Sequence, residues 1–177
     1  MKVTGPGKTT TSSPSPGCEV GGISDWRFFN MSARNIDLDK MQHFIDRCCK
    51  TESECGKCDR ARCLIGFAQT ALAYARQKNT TRIPRGHELV PQDDLRVYYQ
   101  EDLINALAEV LHQCQNCRDN HEEECVINVT RRALELALLG ENFDYEGSAS
   151  AYLMQVGRHN PEVGPKLLQA YQSRKND

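Results

Sequence analysis

Apolar positions along the chain recur mostly at helical spacing. From Asp37 onward, Leu38, Met41, Phe44, Ile45 and Cys48 fall on one face, the rhythm of an amphipathic helix, with Asp37 as candidate N-cap. A second helix is defined by Leu64, Phe67, Ala68, Ala71, Leu72 and Ala75. A third follows Asp93 and Asp94, with Leu103, Leu107, Val110 and Leu111 apolar. A fourth carries Val126, Val129, Ala133 and Leu136 beside Ile127, Leu134 and Leu138, with Gly140 as its C-cap. Two shorter helices are predicted near 148–156 and 165–172, the latter opening on a first-turn proline. Residues 76–91, punctuated by Pro84, Gly86 and Pro91, read as a connector. No run shows convincing strand alternation.

The four main helices form two copies of one unit. Cys55-x2-Cys58-x4-Cys63 precedes the second helix, and Cys114-x2-Cys117-x7-Cys125 precedes the fourth. Each third cysteine is followed at equal offsets by an aliphatic pair, an Ala-Leu pair and a final alanine. The predicted fold is all-α: two pseudo-repeated helix–Cys-loop–helix hairpins burying their stripes as a four-helix core, plus C-terminal helices. The expected organisation is a disordered tail over 1–22, a first Cys-rich repeat with its connector over 23–91, and a second repeat with the C-terminal helices over 92–177. The tail holds Gly5, Pro6, Gly7, a Thr/Ser run, Pro14, Pro16 and Gly17, too little apolar content to offset ordering entropy. Cys18 sits alone in it. Trp26, Phe28 and Phe29 follow as an aromatic cluster suited to core packing or to docking.

The cysteine spacing points to metal. In the first loop Cys49, Cys55, Cys58 and Cys63 make a four-thiolate set, and Cys48 could replace Cys49. Four thiolates suit zinc or an iron–sulfur cluster, and Lys57, Arg60 and Arg62 would favour the thiolate forms. In the second loop Cys114, Cys117, His121 and Cys125 give a Cys3His set within twelve residues, which tetrahedral zinc takes readily. His121 tips the expectation toward zinc, with iron–sulfur as the alternative. A third arrangement would join Cys55 and Cys58 to Cys114 and Cys117 in one shared site. Cys63 and Cys125 would then be core thiols.

The second loop resembles the retroviral-type zinc knuckle, Cys-x2-Cys-x4-His-x4-Cys, with each of the last two gaps one residue shorter here. The resemblance covers only Cys114 to Cys125. It implies a zinc ion held by those four side chains. The aromatic and basic residues with which such knuckles bind RNA have no counterpart, since Glu122-Glu123-Glu124 stand there instead. The resemblance therefore carries the metal and not the nucleic acid.

Composition narrows the classes further. Nine cysteines in 177 residues, an odd number without an apolar leader, favour bound thiolates in a reducing, cytoplasmic setting over disulfides. No stretch reaches transmembrane length. The net charge of −2 hides a basic stretch from Arg47 to Arg85 and an acidic one from Asp93 to Glu146. That bias reads first as two solvated faces; it also allows head-to-tail association of copies or a basic face for an anionic partner. Without a basic surplus over the whole chain, nucleic acid is not the expected partner.

Several motifs are set aside. Gly5-Pro6-Gly7-Lys8-Thr9 lacks the glycine that a phosphate-binding loop needs where Lys2 stands. The sequons at Asn30, Asn79 and Asn128 are silent in a protein that stays inside the cell. His43, His87, His112 and His159 are scattered, with His112 the one substitute for His121, and no nucleophile–base–acid pattern emerges. The expectation is a non-enzymatic, zinc-binding helical module acting through a protein partner. Iron–sulfur redox work is the alternative.

Overall fold

A computed structural model describes residues 36–50, 52–56, 58–116 and 122–175. The expected tail, Cys18, the cluster of Trp26, Phe28 and Phe29, and two of the eight expected ligands, Cys117 and His121, lie outside these residues. Among the described residues the chain is all-α: α1 (Leu38–Arg47), the single turn α2 (Glu52–Cys55), α3 (Leu64–Lys78), α4 (Gln100–Asn116), α5 (Val126–Leu139), α6 (Ala149–His159) and α7 (Val163–Ser173). None is long and apolar enough to cross a membrane.

Capping chemistry sets most of the boundaries. The Asp37 carboxylate accepts from Lys40 N–H at 2.8 Å and starts α1. Asn79 closes α3 in the left-handed region at φ 48°, and Gly140 closes α5 at φ 74°. The Ser148 hydroxyl accepts from Ala151 N–H at 3.3 Å and starts α6. The predicted third helix starts later than expected. Asp93 and Asp94 do not cap it; residues 93–99 are irregular and α4 begins at Gln100. Asp94 instead accepts from Leu64 N–H at 2.8 Å, so it caps α3, the neighbouring hairpin's helix.

The core forms where the predicted stripes meet. α1 packs on α3 and α4, α3 packs on α5, and α4 packs on α5 and α7. Met41, Ile45, Ile65, Leu72, Leu107, Leu111, Ile127 and Leu134 are buried at the centre. A salt bridge and a hydrogen bond fix the directions: Arg47, ending α1, reaches Asp102 near the start of α4 at 3.4 Å, while Asp37 N–H donates to Gln113 near the end of α4 at 2.9 Å. Thus α1 and α4 run antiparallel.

Two buried ion pairs fasten the C-terminal half. Arg174, just past α7, holds Glu109 of α4 at 3.0 Å. On α5, Arg131 pairs with Glu135 at 2.7 Å, both essentially without solvent exposure. The Arg131 guanidinium lies 4.9 Å from the Tyr145 ring centre and 5.3 Å from that of Tyr152. Burial pushes the Glu135 carboxyl up, and Arg131 pulls it back.

Candidate metal centre

The first cysteine loop begins where α1 ends. Cys48 and Cys49 are adjacent but face different surroundings. Cys48 is 1% exposed, its thiol donates to the Phe44 carbonyl at 3.5 Å, and burial, followed by the charge of Asp102, pushes it up to about 12. It is a core thiol. Cys49 is exposed. Burial raises its thiol first, then the neighbouring Cys63, Cys55 and Cys58, while Arg60 pulls it down. Cys55, Cys58 and Cys63 therefore each lie within electrostatic reach of Cys49.

The remaining three are placed by local structure. Cys55 ends α2, Gly56 turns the chain at φ 69°, and Cys58 stands exposed after it. Asp59 accepts from Ala61 N–H at 3.2 Å and starts a 3₁₀ turn, Arg60–Arg62. That turn lies so close to α3 that a Cβ on Gly66 would meet Arg60 Cα at 2.7 Å. Cys63 is the N-cap of α3, and its sulfur accepts from Gly66 N–H at 3.3 Å.

A polar relay holds Cys63 from behind. Its sulfur lies 3.2 Å from the Tyr98 hydroxyl, which donates to Asp94 at 2.5 Å. Since the phenol's proton goes to Asp94, the Cys63 thiol is the donor to Tyr98. Burial works against the Asp94 charge, but hydrogen bonds from Tyr98, Leu64 N–H and Arg96 outweigh it and hold the carboxyl below its ordinary value. Burial and the same two neighbours, Asp94 and Cys63, raise Tyr98 strongly. Arg96 also donates to the Arg62 carbonyl at 3.1 Å, and Tyr99 donates to Glu54 at 2.9 Å. The segment before α4 thus braces the whole first loop.

The second loop is braced differently. Cys114 lies in the last turn of α4 and Cys125 is the N-cap of α5, both half-buried. Thr81–Ile83 form an antiparallel bridge with Glu124–Val126, through Ile83 N–H to Glu124 O at 2.8 Å and Val126 N–H to Thr81 O at 2.7 Å. Arg82 reaches Glu124 at 2.7 Å and Glu122 at 3.6 Å, and Arg85 N–H donates to Glu124 at 2.7 Å. So the acidic run meets the basic connector, and the charge asymmetry read from the sequence is in part an intramolecular pairing rather than two separate solvated faces.

Helix directions separate the loops. Cys63 begins α3, whereas Cys125 is bridged to Arg82, just beyond the end of α3. A fifteen-residue helix is about 22 Å long, so the loops occupy opposite ends of the core. Cys55 and Cys58 cannot share one ion with Cys114, and the single shared site is overturned. Among the described residues, no three histidine, cysteine, aspartate or glutamate side chains converge closely enough to hold an ion. The first loop has the donor chemistry for one, within electrostatic reach but not converged. Comparison with known proteins returns no matching family model, curated protein or solved structure.

Proposed function

We propose that this protein is a metal-binding, all-helical interaction module without catalytic activity, in which a zinc ion pins each pseudo-repeated hairpin at its cysteine loop. Cys49, Cys55, Cys58 and Cys63 hold the first ion; Cys114, Cys117, His121 and Cys125 hold the second. The observation that carries the reading is the sorting of the first loop. Cys48 is committed to the core, while its neighbour Cys49 feels the charges of Cys55, Cys58 and Cys63. Cysteine sulfurs gathered in one loop are ligands that zinc takes readily, and a closed tetrahedral thiolate site adds directly to folding free energy.

The interaction role rests on residues 93–99. Leu95, Val97 and Tyr99 are exposed, Leu95 at 93%, while Asp94, Arg96 and Tyr98 between them turn to the first loop. Ordering of that loop by metal would fix this apolar strip for a protein partner.

Elemental analysis and a visible spectrum of anaerobically purified full-length protein test the reading. Colourless protein with zinc near two per chain is expected, falling to one in Cys55→Ser/Cys58→Ser. Brown protein that bleaches in air would replace zinc by the iron–sulfur alternative. Metal-free protein that keeps its full helicity and thermal midpoint would end the structural-metal reading.

A further inference from the structure

The cations of the basic first repeat divide into two groups. Arg76, Arg82 and Arg85 hold carboxylates of their own chain at 2.7, 2.7 and 2.6 Å. Lys50, Arg60 and Arg62 surround the first cysteine loop, and among the described residues none of them holds a carboxylate. They border the exposed apolar strip of Leu95, Val97 and Tyr99. The Lys50 ammonium lies 5.0 Å from the Tyr99 ring centre. Arg62 gives its carbonyl to Arg96 at 3.1 Å, and Arg60 opens the same 3₁₀ turn. Most carboxylates nearby are engaged: Asp94 by Tyr98 and Arg96, Glu54 by Tyr99, and Asp102 by Arg47. Asp93 stands exposed at the start of the strip. An apolar strip bordered by cations without counter-charges suits a ligand that is both apolar and anionic.

Backbone chemistry narrows the class. Exposure alternates residue by residue from Asp93 to Tyr99, the rhythm of an extended strand. Such a strand aims the N–H and C=O groups of Leu95 and Val97 at one edge, and among the described residues these groups enter no hydrogen bond. A lipid surface would use the apolar side chains and the cations but not these backbone groups, whereas an extended peptide uses all three. We propose that residues 94–99 are an edge to which an extended segment of a partner protein adds as a strand. Its aliphatic side chains, at alternate positions, pack beside Leu95, Val97 and Tyr99, and its carboxylates meet Lys50, Arg60 and Arg62. The proposal rests on the interaction role assigned to this strip above and names the partner's chemistry.

The probe is a short labelled peptide of alternating valine and aspartate, followed by fluorescence anisotropy on full-length protein whose zinc content is measured in the same sample. Binding is expected, and it should weaken with salt. Leu95→Glu/Val97→Glu changes two exposed side chains and leaves helicity intact; affinity should fall at least about tenfold. Arg60→Gln/Arg62→Gln should weaken binding several-fold and flatten its salt dependence. A peptide N-methylated on its valines keeps every side chain but loses its donors along one edge, and should bind about tenfold worse. Met154→Glu, exposed on α6, should change nothing. Zinc-loaded protein that ignores the peptide overturns this proposal and leaves the metal reading standing; zinc-free protein that binds it does the reverse. Binding indifferent to Leu95→Glu/Val97→Glu or to N-methylation overturns the proposal as well. Capture by phosphatidylserine vesicles in place of the peptide assigns the strip to a membrane and overturns it too.

Discussion

The two cysteine loops answer the same structural problem, how to join antiparallel helices at a bundle end, with different materials. The second is held by backbone: two hydrogen bonds pair Thr81–Ile83 with Glu124–Val126, and Arg82 pairs with Glu124 over them. The first is held almost wholly by side chains, through Cys63, Tyr98, Asp94 and Arg96. Backbone pairing tolerates many side chains, whereas a side-chain relay fails when one member changes. The difference teaches that the first loop is the one whose order rests on individual side chains, and so the one that an ion, on the reading proposed above, would control. The second loop's hairpin carries a buried ion pair as well, one that is costly to break from either side.

The largest expected effect tests that last point. Arg131→Met leaves Glu135 buried without its cation, which costs about 3–5 kcal/mol. Denaturant unfolding of metal-loaded and metal-stripped protein should show the same loss in both. A loss confined to loaded protein would tie the second hairpin's stability to its metal and erase the contrast.

Removing metal comes next. If zinc binds only folded protein, at a hundred to a thousand times its dissociation constant it adds about 3–4 kcal/mol. Chelation should therefore lower the thermal midpoint of wild type more than that of Cys55→Ser/Cys58→Ser. In the stripped protein a thiol probe should label Cys49 and Cys58, which are exposed, well before Cys48, which is buried with its thiol raised to about 12. Rapid labelling of Cys48 would show that the end of α1 is not packed as described.

Gly66→Ala acts on the first loop alone. The added Cβ meets the Arg60 backbone, and such overpacking costs about 1–3 kcal/mol. The 3₁₀ turn should lift from α3, raising proteolysis between Cys58 and Cys63 while leaving the second loop unchanged. Equal sensitivity in both loops would contradict their mechanical separation.

Periodicity made the helices legible because burial follows it: Met41, Ile45, Leu72, Leu107 and Leu134 are buried in the stripes that spacing assigned. Local caps such as Asp37, Ser148 and Gly140 were legible for the same reason, since their chemistry acts within a few residues. What the chain hid is long-range. Asp94 looks like the N-cap of the helix that follows it, yet it caps α3, thirty residues upstream. Arg131 and Glu135 have the spacing of an ordinary surface pair, and only packing by Tyr145 and Tyr152 reveals them as interior. The choice between Cys48 and Cys49 turns on one residue of helix phase, and the separation of the two loops on which way α1 and α4 run. Neither is written in spacing.

The smallest effect isolates the relay behind Cys63. Asp94 has its carboxyl held below the ordinary value of 3.8 by bonds from Tyr98, Leu64 N–H and Arg96. A carboxyl depressed in the folded state contributes stability above its unfolded value and loses it as pH falls through the folded one. The contribution is thus present at neutral pH and disappears only in acid below the ordinary aspartate range. Asp94→Asn can still accept from Leu64 N–H, but it has no charge to titrate. The variant should lose up to about 1 kcal/mol at pH 7, within the range of capping substitutions, and the difference from wild type should shrink as the pH is lowered below 4. Urea midpoints of both proteins across that window measure it. A difference that stays constant into acid would mean that Asp94 braces the first loop through shape rather than charge. Tyr98 and Cys63 would then keep their positions without the anion, and the first loop would be less dependent on its side-chain relay than its geometry implies.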